Sequence, residues 1–281
     1  MIDTELPRAP AFEIGAPVGR LADYVRAVWT LDVPGEFAVA DEQPVVPDGC
    51  PELIFNLGDP IHRVRGDDHD VHLRPQLAGQ LTALVTLRPQ GRLALVGVRL
   101  HPWAMKAFLG VGAREMRDLI VPVESALGRQ LTIELQDIDS TGTVRDVSNA
   151  IVRTLTRYVA TRSVPDASAI MVHRAMHHVA PGGPEATVRS LARELGRSER
   201  HVQRVFEESV GLSPKMFLRL ARIQRALRMA ERSPHTSWSD IAGKCAFYDQ
   251  SHLIREMQRF AGGSPTQFDT RAGILTRSLV G

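Results

Sequence analysis

In the last hundred residues, two groups of side chains have the chemistry to read base edges. Arg200, Gln203 and Arg204 form one group, and Gln250, Ser251, His252 and Arg255 form the other. A guanidinium can bond guanine O6 and N7 together, and a carboxamide can bond adenine N6 and N7. Such contacts need a scaffold that aims the side chains into a major groove, because on an unaimed surface the same groups are merely solvated. The two groups are related by an internal repeat. Gly211-Leu-Ser-Pro214 returns as Gly262-Gly-Ser-Pro265, 51 positions later, and the stretch 198–206 returns at the same offset as 249–257. Upstream, Leu191-Ala192 returns as Ile241-Ala242 at an offset of 50, so the extra residue falls in the second unit's turn.

The scaffold is legible in the apolar spacing. Val188, Leu191, Ala192 and Leu195 follow the i, i+3, i+4, i+7 pattern of a buried helix face. Gly196 is suited to end that helix and Ser198 to cap the next, which buries Val202, Val205 and Phe206 and leaves Arg200, Gln203 and Arg204 outside. In the second unit Trp238, Ile241, Ala242 and Cys245 form the apolar side of the first helix. Asp249 is the N-cap of the second, whose buried face carries Leu253 and Met257. Between the units, Ser213-Pro214 starts a long helix to about Arg232, with Met216, Phe217, Leu220, Ile223 and Leu227 on its apolar side. About 19 residues at ~1.5 Å each span roughly 28 Å, close to the ~34 Å between successive major-groove faces of a duplex. Two helix-turn-helix units on one rigid spacer are the expectation.

In its order of motifs, the stretch from about 169 to 270 resembles the DNA-binding domain of the AraC/XylS family of bacterial transcription regulators. The resemblance is carried by Leu191-Ala-Arg-Glu-Leu-Gly196, 198–206, Gly211-Leu-Ser-Pro214, Ile241-Ala242, 247–255 and 262–265. It implies that Arg200, Gln203 and Arg204 read bases from the first recognition helix, and Ser251, His252 and Arg255 from the second. The chain departs from the family pattern at Ala246, where a Gly usually precedes Phe247, and at Leu253 and Met257, which replace two common Phe residues. The resemblance further implies double-stranded DNA as a partner, RNA polymerase if the protein activates, and no enzymatic activity.

Charge divides the chain. From residue 166 onward, 17 Lys+Arg stand against 11 Asp+Glu, a net of +6; the first 165 residues hold 17 and 21, a net of −4, which together give the chain's +2. A basic half behind an acidic one fits a phosphate-binding surface on one side of a boundary near 165, with residues 1–165 as a sensor or dimerisation domain and 166–281 as the DNA-binding domain. Cys50 and Cys245 fall in different domains and form no metal-like pair, which points to a reducing cytoplasm. No stretch approaches 18 apolar residues, so no membrane span is expected.

The N-terminal half reads as strands at 24–31, 52–57, 81–87 and 93–100, separated by turns at 32–35, 58–60 and 88–91. Helical pattern follows at 103–109 and 144–158, and 162–166 is the expected linker. The fold class is therefore α+β, a β-rich, barrel-like domain with flanking helices ahead of an all-α domain. The run 46–58 with 97–102 also resembles the N-terminal sensor-like domain of one AraC-type subgroup, which implies a barrel or half-barrel and a small-molecule effector, with Asp48, Glu52 and Trp103 as rim or pocket residues. The stripe Val144, Val147, Ile151, Leu155 and Tyr158 has two open readings: packing within its own domain, or a homodimer interface.

His62, His69 and His72 with Asp67, Asp68 and Asp70 read as a solvated loop rather than a metal site. His173 and His177 share a helix face without the Glu of a zinc-hydrolase helix. No cofactor, phosphate loop or nucleophile motif is expected. Three functions compete: an effector-modulated transcription regulator, a metal-dependent barrel enzyme fused to a DNA-binding domain, and an architectural DNA-binding protein.

Overall fold

Apolar runs in the first hundred residues become antiparallel strands. The computed structural model describes residues 11–33, 42–65, 68–72, 75–162, 165–179, 186–233, 235–265 and 267–268. Among these, the strands are β1 (Ala11–Gly15), β2 (Val25–Val33), β3 (Gln43–Val45), β4 (Glu52–Asn56), β5 (Ile61–Arg65), β6 (Asp68–His72), β7 (Gln76–Ala78), β8 (Val85–Pro89), β9 (Leu93–Leu100) and β10 (Ile120–Pro122). One sheet has the order β1-β2-β9-β4-β7-β10 and a second has β3-β8-β5-β6. The two sheets face each other without closing into a barrel.

Strand β9 is buried along its whole length, and its period-2 alternation serves two cores. Ala94, Val96, Val98 and Leu100 face one core, with Leu53 and Phe55 of β4. Leu93 and Leu95 face the other, with Trp29, Leu31, Val33 and Ile61, between the sheets. The first core is covered by helices. After a 3-10 turn (Gly19–Asp23) and a π-helical turn (Met105–Leu109) come α1 (Val123–Ala126), α2 (Arg129–Gln136) and α3 (Val144–Ala160). Thr143 and Asp146 close a capping box at the start of α3.

Three readings are resolved here. The run 81–87 forms strand only from Val85, because Leu84 turns away to pack on the helical core of the other half. The α3 stripe belongs to its own domain: Ile151 and Leu155 are fully buried with Val144 and Val147 against β2 and β9, which leaves no apolar face on that helix for a second subunit. The polar segment expected as a loop is the β5–β6 hairpin instead, with His62 opposite Val71. Asp67 and the side chains of 68–72 lie outside the described residues. So does part of the expected turn at 32–35.

The C-terminal half holds α4 (Ala167–Val179), α5 (Val188–Glu194), α6 (Glu199–Ser209), α7 (Pro214–Arg232), α8 (Trp238–Lys244) and α9 (Gln250–Ala261). Their apolar faces form one core, which Val46 and Trp103 of the N-terminal half enter. Trp103 stacks on His101 at 4.4 Å and meets His173 of α4 edge-on at 4.9 Å. His173 and His177 place their Nε2 atoms 3.0 Å apart.

His101 lies 3.2 Å by Nε2 from the Ala22 carbonyl, which fixes its neutral tautomer with the proton on that nitrogen. Burial pushes its pKa down to about 4 from an ordinary 6.5. A lowered histidine contributes stability that is present above 6.5 and lost as pH falls toward 4, since the unfolded chain takes the proton first. Urea midpoints should therefore fall across that window, and the slope should be shallower in His101→Phe. An unchanged slope would place the acid sensitivity elsewhere.

Candidate nucleic-acid interface and inter-sheet cavity

Each helix-turn-helix unit is set by local capping. In the first, Thr187 and Ser190 form a capping box on α5, and Gly196 turns the chain at φ +59°. Ser198 then caps α6 by accepting from the His201 N–H at 3.2 Å. In the second, Ser237 caps α8, Ala246 turns at φ +58°, and Asp249 caps α9 by accepting from the His252 N–H at 2.6 Å. The two turns share one left-handed conformation, with glycine in one and alanine in the other. Ser213 and Pro214 start α7, whose 19 residues join the units.

The seven sequence-predicted reading residues lie on the outer sides of α6 and α9. Arg200, Arg204, Gln250, Ser251 and Arg255 are exposed, while Gln203 and His252 are half-buried. Arg200 and Arg255 have no ion-pair partner among the described residues. Gln203 Nε2 donates to Glu207 at 2.5 Å, and Arg204 pairs with Glu208 at 3.0 Å, both one turn along α6. His252 Nδ1 accepts from the Tyr248 N–H at 3.3 Å, which leaves Nε2–H as its free donor.

The arginines along α7 hold the second unit in place. Arg219 makes two bonds to Glu256 of α9, at 2.6 and 2.8 Å, and lies over the Phe260 ring. Burial opposes the ionisation of Glu256, but Arg219 outweighs it and holds the carboxyl below its ordinary range. Arg222 donates to the Ala246 carbonyl at 3.3 Å and covers Phe247. These contacts were not anticipated. The signal was Glu256 itself, a carboxylate on the stripe of Leu253, Met257 and Phe260.

Between the sheets lies a cavity of about 100 Å³, walled mostly by apolar side chains. Its polar end follows from the strand registers. Glu52 of β4 pairs across from Arg99 of β9, and Trp29 of β2 pairs across from Gly97. A Cβ at Gly97 would sit 2.0 Å from the Trp29 ring, so glycine there lets the indole lie over β9. Trp29 Nε1 donates to Glu52 at 2.7 Å, and Arg99 Nε lies 3.1 Å from Glu52 and 3.3 Å from Asp48. Burial raises Glu52 above the usual carboxylate range and pushes the Cys50 thiol up to about 12. Asp48 and Glu52 thus line the cavity, whereas Trp103 does not: its size and aromatic partners place it between the two halves of the chain. Arg99 and Trp29 were missed, since a strand residue announces no pocket until its neighbours in the sheet are known.

The turn that carries Asp48 is also an interface. Gln224, buried on α7, lies with Nε2 3.0 Å from the Pro47 carbonyl and 3.4 Å from that of Val46, and Gly49 sits against Phe217. The two repeat glycines that end α6 and α9 also touch the other half, Gly211 against the Ala113 backbone and Gly262 against Leu84. Among the described residues no group of three His, Cys, Asp or Glu side chains is placed to hold a metal ion, and no helix is long and apolar enough to cross a membrane.

Residues 191–271 match a family described as a helix-turn-helix domain, and residues 15–122 match a domain of unknown function (DUF6597). No curated protein is matched. Among solved structures, ToxT from Vibrio cholerae is similar at 7% identity and a TM-score of 0.49, over 94% of this chain and 99% of that one. Wild-type ToxT from Vibrio cholerae bound to an unsaturated fatty acid is similar at 10% identity and 0.46, over 94% and 96%. The DNA-binding domain of AdpA in complex with a target DNA is similar at 28% identity and 0.32, over 38% of this chain and 92% of that one. The C-terminal half is a helix-turn-helix DNA-binding domain, as its paired units and the family match establish. The chain is a DNA-binding transcription regulator.

Ala246 gives a direct test of how the second unit is built. A non-glycine residue in the left-handed region costs about 1 kcal/mol or more, and Gly196 shows that glycine serves the same turn. Ala246→Gly should stabilise the protein by about 1 kcal/mol in urea unfolding. A destabilised variant would show that the methyl group's packing outweighs the strain.

Proposed function

We propose that the protein reads two successive major grooves on one face of the duplex, α6 through Arg200, Gln203 and Arg204, and α9 through Gln250, Ser251, His252 and Arg255. A small molecule in the inter-sheet cavity shifts how the two helices are presented. The observation that supports this reading is the shared wall. The turn 46–50 lines the cavity on one side and receives Gln224 of α7 on the other, so an occupant that displaces Val46 or Pro47 displaces the spacer between the recognition helices. The protein acts in the cytoplasm on RNA polymerase or its access to a promoter, as a regulator rather than an enzyme. Buried as it is, the α3 stripe offers no dimer interface, and two units on one chain suffice for two major grooves one helical turn apart.

Arg204→Ala and Arg255→Ala should each cost about 1–3 kcal/mol on the cognate site and relax the preference at one base position. Equal losses on all sequences would make them phosphate contacts. Footprints should protect two successive major grooves, and protection of a single turn would overturn the two-unit reading.

Gln224→Leu removes the amide that bonds the 46–47 carbonyls while keeping an apolar stem. DNA affinity without effector should change little, but any effector-dependent change in affinity should shrink, since coupling is reciprocal and needs a contact that differs between states. Coupling that persists at full strength would move the relay to the Gly211 or Gly262 contacts.

A further inference from the structure

The inter-sheet cavity carries its polarity at one end, and that end is richer in acceptors than in donors. Arg99 is shared between two carboxylates, its Nε facing Glu52 at 3.1 Å and Asp48 at 3.3 Å. Glu52 Oε1 already accepts from the Trp29 indole at 2.7 Å, and Asp48 Oδ1 accepts from the Cys50 N–H at 2.9 Å. Asp48 Oδ2 is shut off from solvent; Arg99 Nε lies 3.3 Å from it as an ion pair, but no donor among the described residues is aligned to hydrogen-bond it. A buried acceptor without an aligned donor is rare in folded proteins and is a place that a bound group would satisfy. The ionisable side chains lining the cavity are Asp48, Cys50, Glu52 and Arg99; the Cys50 thiol, pushed up to about 12, carries no charge, so the wall carries one more carboxylate than guanidinium. A ligand carboxylate directed at Asp48 Oδ2 would set one acceptor against another and leave that oxygen without an aligned donor. Apart from Asn56 and Gln76, the rest of the lining is apolar, with Ile54, Ile61, Val85, Leu87 and Leu95 offering an occupant only apolar contact.

We infer that the cavity takes a small, mainly apolar molecule whose single polar group is a hydrogen-bond donor, a hydroxyl or an amine, directed at Asp48 Oδ2, and that it rejects carboxylates of the same shape. This rests on the effector reading of the cavity given above. The size fits a slim occupant: about 100 Å³ is less than the ~150 Å³ of an engineered apolar cavity that binds benzene. Because Asp48 sits in the turn that also meets Gln224, the donor would engage the same segment that touches α7.

The test uses the full chain and three probes of equal length: 1-hexanol, hexylamine and hexanoate. Binding is followed by the Trp29 indole N–H resonance, which lies at the cavity's polar end. The alcohol and the amine should shift it and bind about tenfold or more tighter than hexanoate. Asp48→Asn, which keeps an acceptor for the Cys50 N–H, should bring the amine and hexanoate within a few-fold of one another. Glu52→Gln, should the first variant not fold, should likewise weaken hexylamine relative to hexanoate. Hexanoate binding as well as or better than the other two, with the Trp29 shift, would overturn the donor assignment and leave the cavity as a ligand site. If none of the three moves the Trp29 resonance, both the donor assignment and the effector reading of the cavity fall.

Discussion

Two recognition helices can read one operator together only if the distance between them is held, and α7 is the element that holds it. Its 19 residues run between the units, and its apolar side, Leu220, Ile223, Ala226 and Leu227, is fully buried in the core that α6, α8 and α9 share. A helix packed this way has few low-energy alternatives, because interiors are dense and repack in discrete steps rather than by smooth deformation. The Arg219–Glu256 pair adds a directional tie. A bidentate guanidinium–carboxylate bond fixes the azimuth of α9 on α7, not merely its distance. Removing one partner would strand a mostly buried charge, so the pair constrains geometry more than it adds net stability.

The same helix carries a buried amide that reaches across to the sheets. Gln224 occupies a position on the apolar stripe where Leu or Met would pack without a polar requirement. Once buried, its Nε2 must find acceptors, since an unsatisfied donor there costs about 1–3 kcal/mol. It finds them in the Val46 and Pro47 carbonyls. That requirement ties the orientation of α7 to the position of a single turn, and the turn in turn depends on Asp48 bonding the Cys50 N–H and on Gly49 at φ +78°. The cavity, the turn and the spacer helix therefore form one contiguous packed unit. A shift of a few tenths of an ångström at Val46 has to be absorbed by the Gln224 bonds or by α7 itself.

What the chain reveals without coordinates divides along contact order. The C-terminal half is built from local signals: the caps Ser198, Ser213 and Asp249, the turn glycine Gly196, and 3.6-residue stripes. All of these appear in the structure where spacing placed them. The strands at 52–57 and 93–100 were legible for the same reason, as uninterrupted apolar runs between turns. The run 81–87 was misleading because Leu84 is apolar for the sake of the other half of the chain, a partner far away in sequence. Trp103 misled in the same way. Arg99 and Trp29 reach the cavity only through their registers with Glu52 and Gly97, and no local pattern encodes a register between β2, β9 and β4. Glu256 and Gln224 were visible in principle as polar residues on apolar stripes, and each turned out to mark a tertiary tie.

The two units are not equivalent in what they offer to DNA. On α6, Gln203 and Arg204 are engaged with Glu207 and Glu208, but these are i, i+4 contacts on the helix surface, the first half-buried and the second exposed, worth about 0.2–0.5 kcal/mol each. A good bidentate base contact discriminates by about 1–3 kcal/mol, so a cognate groove can outcompete them and a mismatched one gains little. In the proposed reading the carboxylates act as a filter on α6, since they hold Gln203 and Arg204 until a better partner is present. On α9 there is no such competition for Arg255, while His252 is restricted to one donor by the Tyr248 N–H. Its turn rests on a strained Ala246 steadied by Arg222. The first unit therefore has the pre-set geometry and the guarded side chains, and the second has freer side chains on a more strained support. That division favours α6 as the main source of base discrimination and α9 as the arm whose placement, through α7 and the turn at 46–50, is open to adjustment.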